Sequence, residues 1–182
     1  MKKFMLVFFA SILLVGCMTN TNNPKKEVEN LFYKYQTLDN EIIKQIDLVL
    51  SDEANLTDLQ KSQYEAIIKK NYRDLTYEIK NETIDGDKAI VTAEITVYNY
   101  GSVISDMQNL KDTNDESYYN EEGIFDESLY NTDILDKLEN TDEKVTYTVD
   151  INLTKIDNNW VLDSLDKTTR QKISGTYKGE NN

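Results

Sequence analysis

Cys17 is the only thiol in a chain of 182 residues that contains no histidine. A thiolate can be acylated, converted to a thioether, oxidised or bound to a soft metal. A lone cysteine cannot form a disulfide within its own chain. With histidine absent, Ser-His and Cys-His nucleophile pairs fall away, as do zinc sites of histidine and cysteine. There is no Walker-type phosphate loop and no Gly-x-Ser-x-Gly elbow, and six glycines in all make phosphate cradles improbable. The chemistry open to this chain is therefore that of one thiol and of carboxylates.

The surroundings of Cys17 specify which thiol chemistry is expected. Lys2 and Lys3 precede Phe4 to Val15, a run without a charge. A spanning helix needs roughly 18 or more apolar residues, so the run has the length of an export-signal core. It ends in Leu14-Val15-Gly16-Cys17. Here the sequence resembles the precursors of bacterial lipoproteins. Their lipobox is an aliphatic residue, a small or aliphatic residue, Gly or Ala, then Cys, and all four positions match. The resemblance implies diacylglycerol on the Cys17 sulfur, cleavage between Gly16 and Cys17, and often acylation of the new amine with a palmitate-like chain. Small Gly16 opens the backbone to a protease. Acyl chains contribute about 0.8 kcal/mol per buried CH₂, and two chains anchor stably where one does not. The expected location is the extracytoplasmic face of the cell membrane. No cofactor is expected beyond this covalent lipid.

Residues 1–16 are thus read as a signal, 17–24 as a lipidated tether, and 25–182 as one domain. From Cys17 onward the chain carries 18 basic against 33 acidic side chains, a net of −15. That balance argues against nucleic acid, whose phosphates call for Lys and Arg. It also argues against electrostatic adhesion to anionic lipid, leaving the lipid anchor as the membrane contact.

The elements follow from hydrophobic period. Val28, Leu31, Phe32, Tyr35, Leu38, Ile42, Ile43, Ile46, Val49 and Leu50 share one helical face. They predict one long helix over about 25–50, bent near Asp39-Asn40. Thr57-Asp58-Leu59-Gln60 spells a capping box. It predicts a second helix over 58–73 that buries Leu59, Tyr64, Ile67, Ile68 and Tyr72. The period then changes to two. Leu75, Tyr77 and Ile79, the turn Asp85-Gly86-Asp87, and Ala89, Val91, Ala93, Ile95 and Val97 predict a hairpin. Val145, Tyr147, Val149, Ile151 and Leu153, the turn Asn158-Asn159 and Trp160-Val161-Leu162 predict another. A short helix or strand is expected near Lys167–Ile173.

Between the hairpins, residues 101–142 hold 12 acids and two lysines, a net of −10. Short helices are expected after Ser105 and over Asp133 to Leu138. Helices followed by antiparallel strands read as α+β. The helix pair, Tyr77-Glu78-Ile79, Ile84 to Val91 and the hairpin Leu153 to Leu162 resemble the NTF2-like (cystatin-like) cone. More narrowly, they resemble lipoproteins of Gram-positive bacteria that carry such domains with no assigned activity. The resemblance implies a long helix and a second helix on a curved four-stranded antiparallel sheet. It covers 25–100 and 143–175, implies no activity, and leaves 101–142 as an acidic insertion.

Two groups of residues are candidate sites. Tyr77, Tyr147 and Trp160 could line a small apolar pocket in the cone, and the competing reading makes them core aromatics with polar tips at the edge. Tyr118, Tyr119, Phe125 and Tyr130 alternate with acids, as interface loops do. Their competing reading is a loop that folds its rings onto the body. A calcium reading fails at Asp112-x-Asn114-x-Glu116: Ser117 stands where the loop needs Gly, and Gly123 where it needs Glu. No metal ligand and no catalytic residue is assigned. The expected function is a non-catalytic surface lipoprotein that binds a protein or envelope partner. The alternatives are a carrier of a small apolar ligand and, third, a carboxylate-only hydrolase. Cys17→Ser is expected to abolish incorporation of labelled palmitate and to move the chain from the membrane fraction to the medium.

Overall fold

The computed structural model describes residues 23–179. The expected signal, the lipobox with Cys17, and residues 18–22 of the tether lie outside them. Within them the chain adopts the expected α+β class, with a cone-like arrangement of six helices around an open four-stranded antiparallel sheet.

The expected long helix is two helices, α1 (Pro24–Thr37) and α2 (Asn40–Asp52). Asn23 caps α1, and Pro24 occupies a first-turn position where its missing N–H costs nothing. Leu38 breaks the run with a left-handed backbone, φ 50°. The Leu38 and Asp39 amides close the α1 end on the carbonyls of Tyr35 and Lys34. The Asp39 carboxylate then accepts from the Glu41 and Ile42 amides and starts α2. The apolar stripe runs across the break because both helices lean on the same core.

Helix α3 (Asp58–Arg73) begins at the predicted capping box: the Gln60 amide donates to Thr57 Oγ1, and the Thr57 amide donates to the Gln60 side chain. Tyr64, Ile67 and Tyr72 are buried as expected. Leu59 is not; it is 80% exposed, while its neighbour Gln60 is buried and bonded to Ser128 and Thr132.

Strands β1 (Thr76–Asp85), β2 (Lys88–Tyr98), β3 (Lys144–Ile156) and β4 (Asn159–Leu162) follow one another across the sheet as a meander. Their inner face carries Ala89, Val91, Ala93, Ile95 and Val97 from β2, and Val149, Ile151 and Leu153 from β3, all buried. The outer face is wet: Thr92 bonds Asp150, and Lys80 pairs with Glu78 and Glu94. A bulge after Ile79 shifts the register of β1. Past it the edge strand is exposed, and Ile84 points to water.

The segment between the hairpins also folds as helices, but with other boundaries than expected. Helix α4 (Tyr100–Asp112) starts one turn before Ser105, capped by Asn99, and α5 (Glu127–Asn140) starts before Asp133, capped by Asp126. Tyr130, Ile134, Leu135 and Leu138 of α5 belong to the same core as α1 and the sheet. The acidic insertion is therefore part of the body. The last element, α6 (Lys167–Ile173), is a helix capped by Asp166.

One joint closes the molecule. The side chain of buried Asn71, near the end of α3, donates to the Ile173 carbonyl of α6 and accepts from the Tyr98 amide of β2, at 3.0 and 3.1 Å. The backbone runs close beside it: the Gly101 amide donates to the Gly175 carbonyl at 2.7 Å. A Cβ on Gly175, at φ +74°, would stand 2.3 Å from the Tyr98 carbonyl oxygen. Gly175→Ala is thus expected to cost about 2–4 kcal/mol in urea unfolding. A pH prediction comes from the same corner. Tyr98 Oη donates to Asp74 at 2.7 Å, and that carboxylate, with burial, pushes the phenol from its ordinary 10.0 up to about 12. The folded chain holds this proton more tightly than the unfolded chain. The stability it contributes is complete below pH 10 and is lost as the pH rises towards 12. Tyr98→Phe is expected to be less stable below pH 10, with the gap to the wild type closing between pH 10 and 12. Thermal melts across that range check it.

Candidate functional site

The aromatics of the acidic segment come together. A turn at 120–123 is set by the Asn120 side chain, which accepts from the Glu122 and Ile124 amides, and by Gly123 at φ +73°. The turn returns Phe125 against Tyr119, with ring centroids 5.4 Å apart, and a bridge pairs the two backbones. Phe125 lies 5.4 Å from Tyr130, and Tyr130 meets Tyr118 edge-on at 5.3 Å. Such contacts contribute about 0.5–1.5 kcal/mol each beyond burial. Lys111 of α4 places its ammonium over Phe125 and Tyr130, 4.6 and 5.1 Å from the ring centres.

These four residues have separate roles. Tyr118 and Tyr130 are buried. The Tyr118 hydroxyl donates to the Asp133 carboxylate, and burial, followed by that bond, raises its ionisation far above the ordinary range. These two rings follow the competing reading, in which the loop folds its aromatics inward. Tyr119 and Phe125 are half-buried and pack against the edge of the core. Tyr119 forms one wall of an open bowl of about 530 Å³, with Asn114, Glu116, Asn120, Glu121 and Gly123. In the same segment Ile124 is 58% and Leu129 48% exposed. The sequence calls for cover over Ile124, Phe125, Leu129 and Tyr130 alike; the structure buries Tyr130, half-buries Phe125 and leaves the other two exposed, because hydropathy does not separate an outward Leu from an inward one.

Half of the acids of this segment are committed to structure. Asp115 and Asp126 cap helical turns, Asp112 accepts from Gln108, and Asp136 and Glu139 accept from Gln63 of α3. Asp115 is held below the usual carboxylate range by its bonds to Ser117. Among the described residues, no three acids gather as a metal site would require.

Tyr77, Tyr147 and Trp160 do not share a pocket. Tyr77 and Tyr147 flank Ile95 in one cross-strand row. Tyr77 packs against Phe32 of α1 at 4.7 Å, and Tyr147 donates to the Tyr177 carbonyl. Trp160 pairs with Lys155, eight residues along β3 and so about 26 Å from that row. It is buried at the far end. The sheet's inner face is covered by α1, whose Val28, Leu31, Phe32 and Tyr35 are fully enclosed.

A cleft does exist elsewhere, among the helices. Ile46 and Val49 of α2, Ile67, Ile68 and Tyr72 of α3 and Tyr100 of α4 form its apolar walls. Lys167, Arg170, Gln171 and Ser174 of the α6 region complete the lining. Its free volume is about 40 Å³, and no strand contributes to it. Hydropathy period could not find it, because the lining comes from four elements distant in the chain. One motif spacing also lies here: Ser164-Leu165-Asp166-Lys167 spells Ser-x-x-Lys, the pattern of a serine nucleophile and its lysine. Asp166, between them, is the α6 cap, so Ser164 stands outside the helix and shares no helical face with Lys167.

No helix among the described residues is long and apolar enough to cross a membrane. No protein-family model matches the chain, and no curated protein matches it. Among solved structures it is similar to the crystal structure of a candidate lipoprotein, ycdA, from Bacillus subtilis. The identity is 19% and the TM-score 0.44, over 91% of this chain and 52% of that one. The chain thus spans about half the length of that protein.

Proposed function

We propose that this chain is a lipoprotein held by acyl chains on Cys17 at the extracytoplasmic face of the membrane, and that it binds a protein or envelope partner without catalysis. The lipid anchor rests on the match at Leu14-Val15-Gly16-Cys17 behind a charged and then apolar leader. The binding role rests on the outer surface of the α4–α5 unit. There Ile124 and Leu129 stay exposed in an acid-rich stretch of chain that also supplies the bowl walled by Tyr119. An apolar centre with a polar rim is the usual anatomy of a protein interface. The net of −10 over 101–142 selects a basic partner and speeds encounter with it.

Removing 101–142 would not test this reading, since Tyr130, Ile134, Leu135 and Leu138 would leave the core. Surface changes do. The double substitution Ile124→Ser, Leu129→Ser is expected to leave the melting temperature within about 2 °C, since exposed changes alter stability by under about 0.5 kcal/mol. It is expected to cut capture of the envelope partner at least ten-fold in a quantitative pull-down, and wild-type capture is expected to weaken with added salt. Undiminished capture by the double variant would overturn the assignment of this surface.

A further inference from the structure

We propose that the helical cleft is a binding site for a small amphipathic anion, a short-chain carboxylate. The site is independent of the α4–α5 surface. Three observations converge on it. The first is charge. Acids outnumber bases 33 to 20 in the chain, yet the cleft is lined by Lys167 and Arg170 and by no Asp or Glu. The neighbouring carboxylate, Asp166, is engaged as the helix cap and accepts from the Thr169 amide and hydroxyl at 2.8 Å each.

The second is an unmet polar group. Gln45 lines the cleft, and its side-chain oxygen is out of reach of solvent with no hydrogen-bond partner among the described residues. Left alone, such a group costs about 1–3 kcal/mol. A half-turn about the last side-chain bond presents the amide NH₂ in its place, a donor suited to a carboxylate. The third is preorganisation. Arg170 lines the cleft and gives one N–H to the Leu165 carbonyl, which fixes the guanidinium and leaves further donors of its fork for an oxyanion.

Behind these groups the walls are Ile46, Val49, Ile67 and Ile68. The free volume of about 40 Å³ holds more than one water and falls well short of a drug-sized pocket. The tail it admits is therefore a few carbons long, with the carboxylate held by Arg170.

Isothermal titration of the full chain in nanodiscs, against empty nanodiscs, separates head from tail. The probes are hexanoate, the neutral hexanol and the tailless acetate. Hexanoate is expected to bind at least ten-fold tighter than hexanol or acetate. Arg170→Leu is expected to weaken hexanoate at least ten-fold and to leave hexanol unchanged. Ile68→Phe, which fills the apolar end and keeps the Arg170 bond to Leu165, is expected to abolish hexanoate binding with the circular dichroism unaltered. Equal affinities for hexanoate and hexanol would overturn the proposal. So would hexanoate binding that neither substitution weakens, or no binding of hexanoate at all. Loss of partner capture by the Ile124, Leu129 variant with hexanoate binding intact is the expected mark of two separate sites.

Discussion

The side-chain amide of Asn71 ties three elements that would otherwise part: the end of α3, the end of β2 and the end of α6. Both bonds are made to backbone groups and both are buried, so a side chain without that donor and acceptor pair would strand two main-chain groups. Everything near the joint is drawn tight as a consequence. Gly101 and Gly175 are glycines because the two chain segments pass within hydrogen-bonding distance of each other there. Tyr98 and Tyr100 stack on either side of the corner, 5.7 Å apart, and Tyr100 reaches back to the Ile67 carbonyl. With no disulfide available, this polar joint and the apolar core do the closing.

A second constraint explains how a segment of net −10 folds at all. Like charges repel in a compact state. The segment relieves this by placing acids where local dipoles favour them. Asp115 and Asp126 sit at the starts of helical turns, where exposed amides point outward. Others take hydrogen bonds from Gln63, Gln108 and Tyr118. The aromatic cluster under Lys111 supplies apolar cohesion. Gln60 then fastens α5 to the first turn of α3 through the Ser128 carbonyl and the Thr132 hydroxyl. The residue that completes the α3 capping box thus also docks the acidic unit.

Local signals were legible and distant ones were not. The capping box at Thr57 and Gln60 was readable because its bonds join residues three apart. The hairpins were readable because alternation has one meaning on a half-buried sheet. The break at Leu38 was not: a left-handed leucine leaves no mark in hydropathy, and only the Asp39 cap hinted at a new helix. Leu59 misled because an apolar residue at helical spacing need not have anything packed over it. Tyr77, Tyr147 and Trp160 shared a face as expected, but a face of a sheet is long, and the register puts Trp160 at its far end.

Residue order alone excludes histidine-based chemistry and an internal disulfide and fixes the one thiol, since those are matters of composition. It also settles the succession of helices and strands, because period is a local property of the chain. Which surfaces are left over is decided only when the elements pack. Ile124 and Leu129 stay exposed while Tyr118 and Tyr130, from the same segment, are buried against each other. Lys167 and Arg170 face Gln45 and Ile68 across a cleft because the Asn71 joint draws α6 onto α3. Those residues stand a hundred or more positions apart, and nothing short of the closed core brings them together.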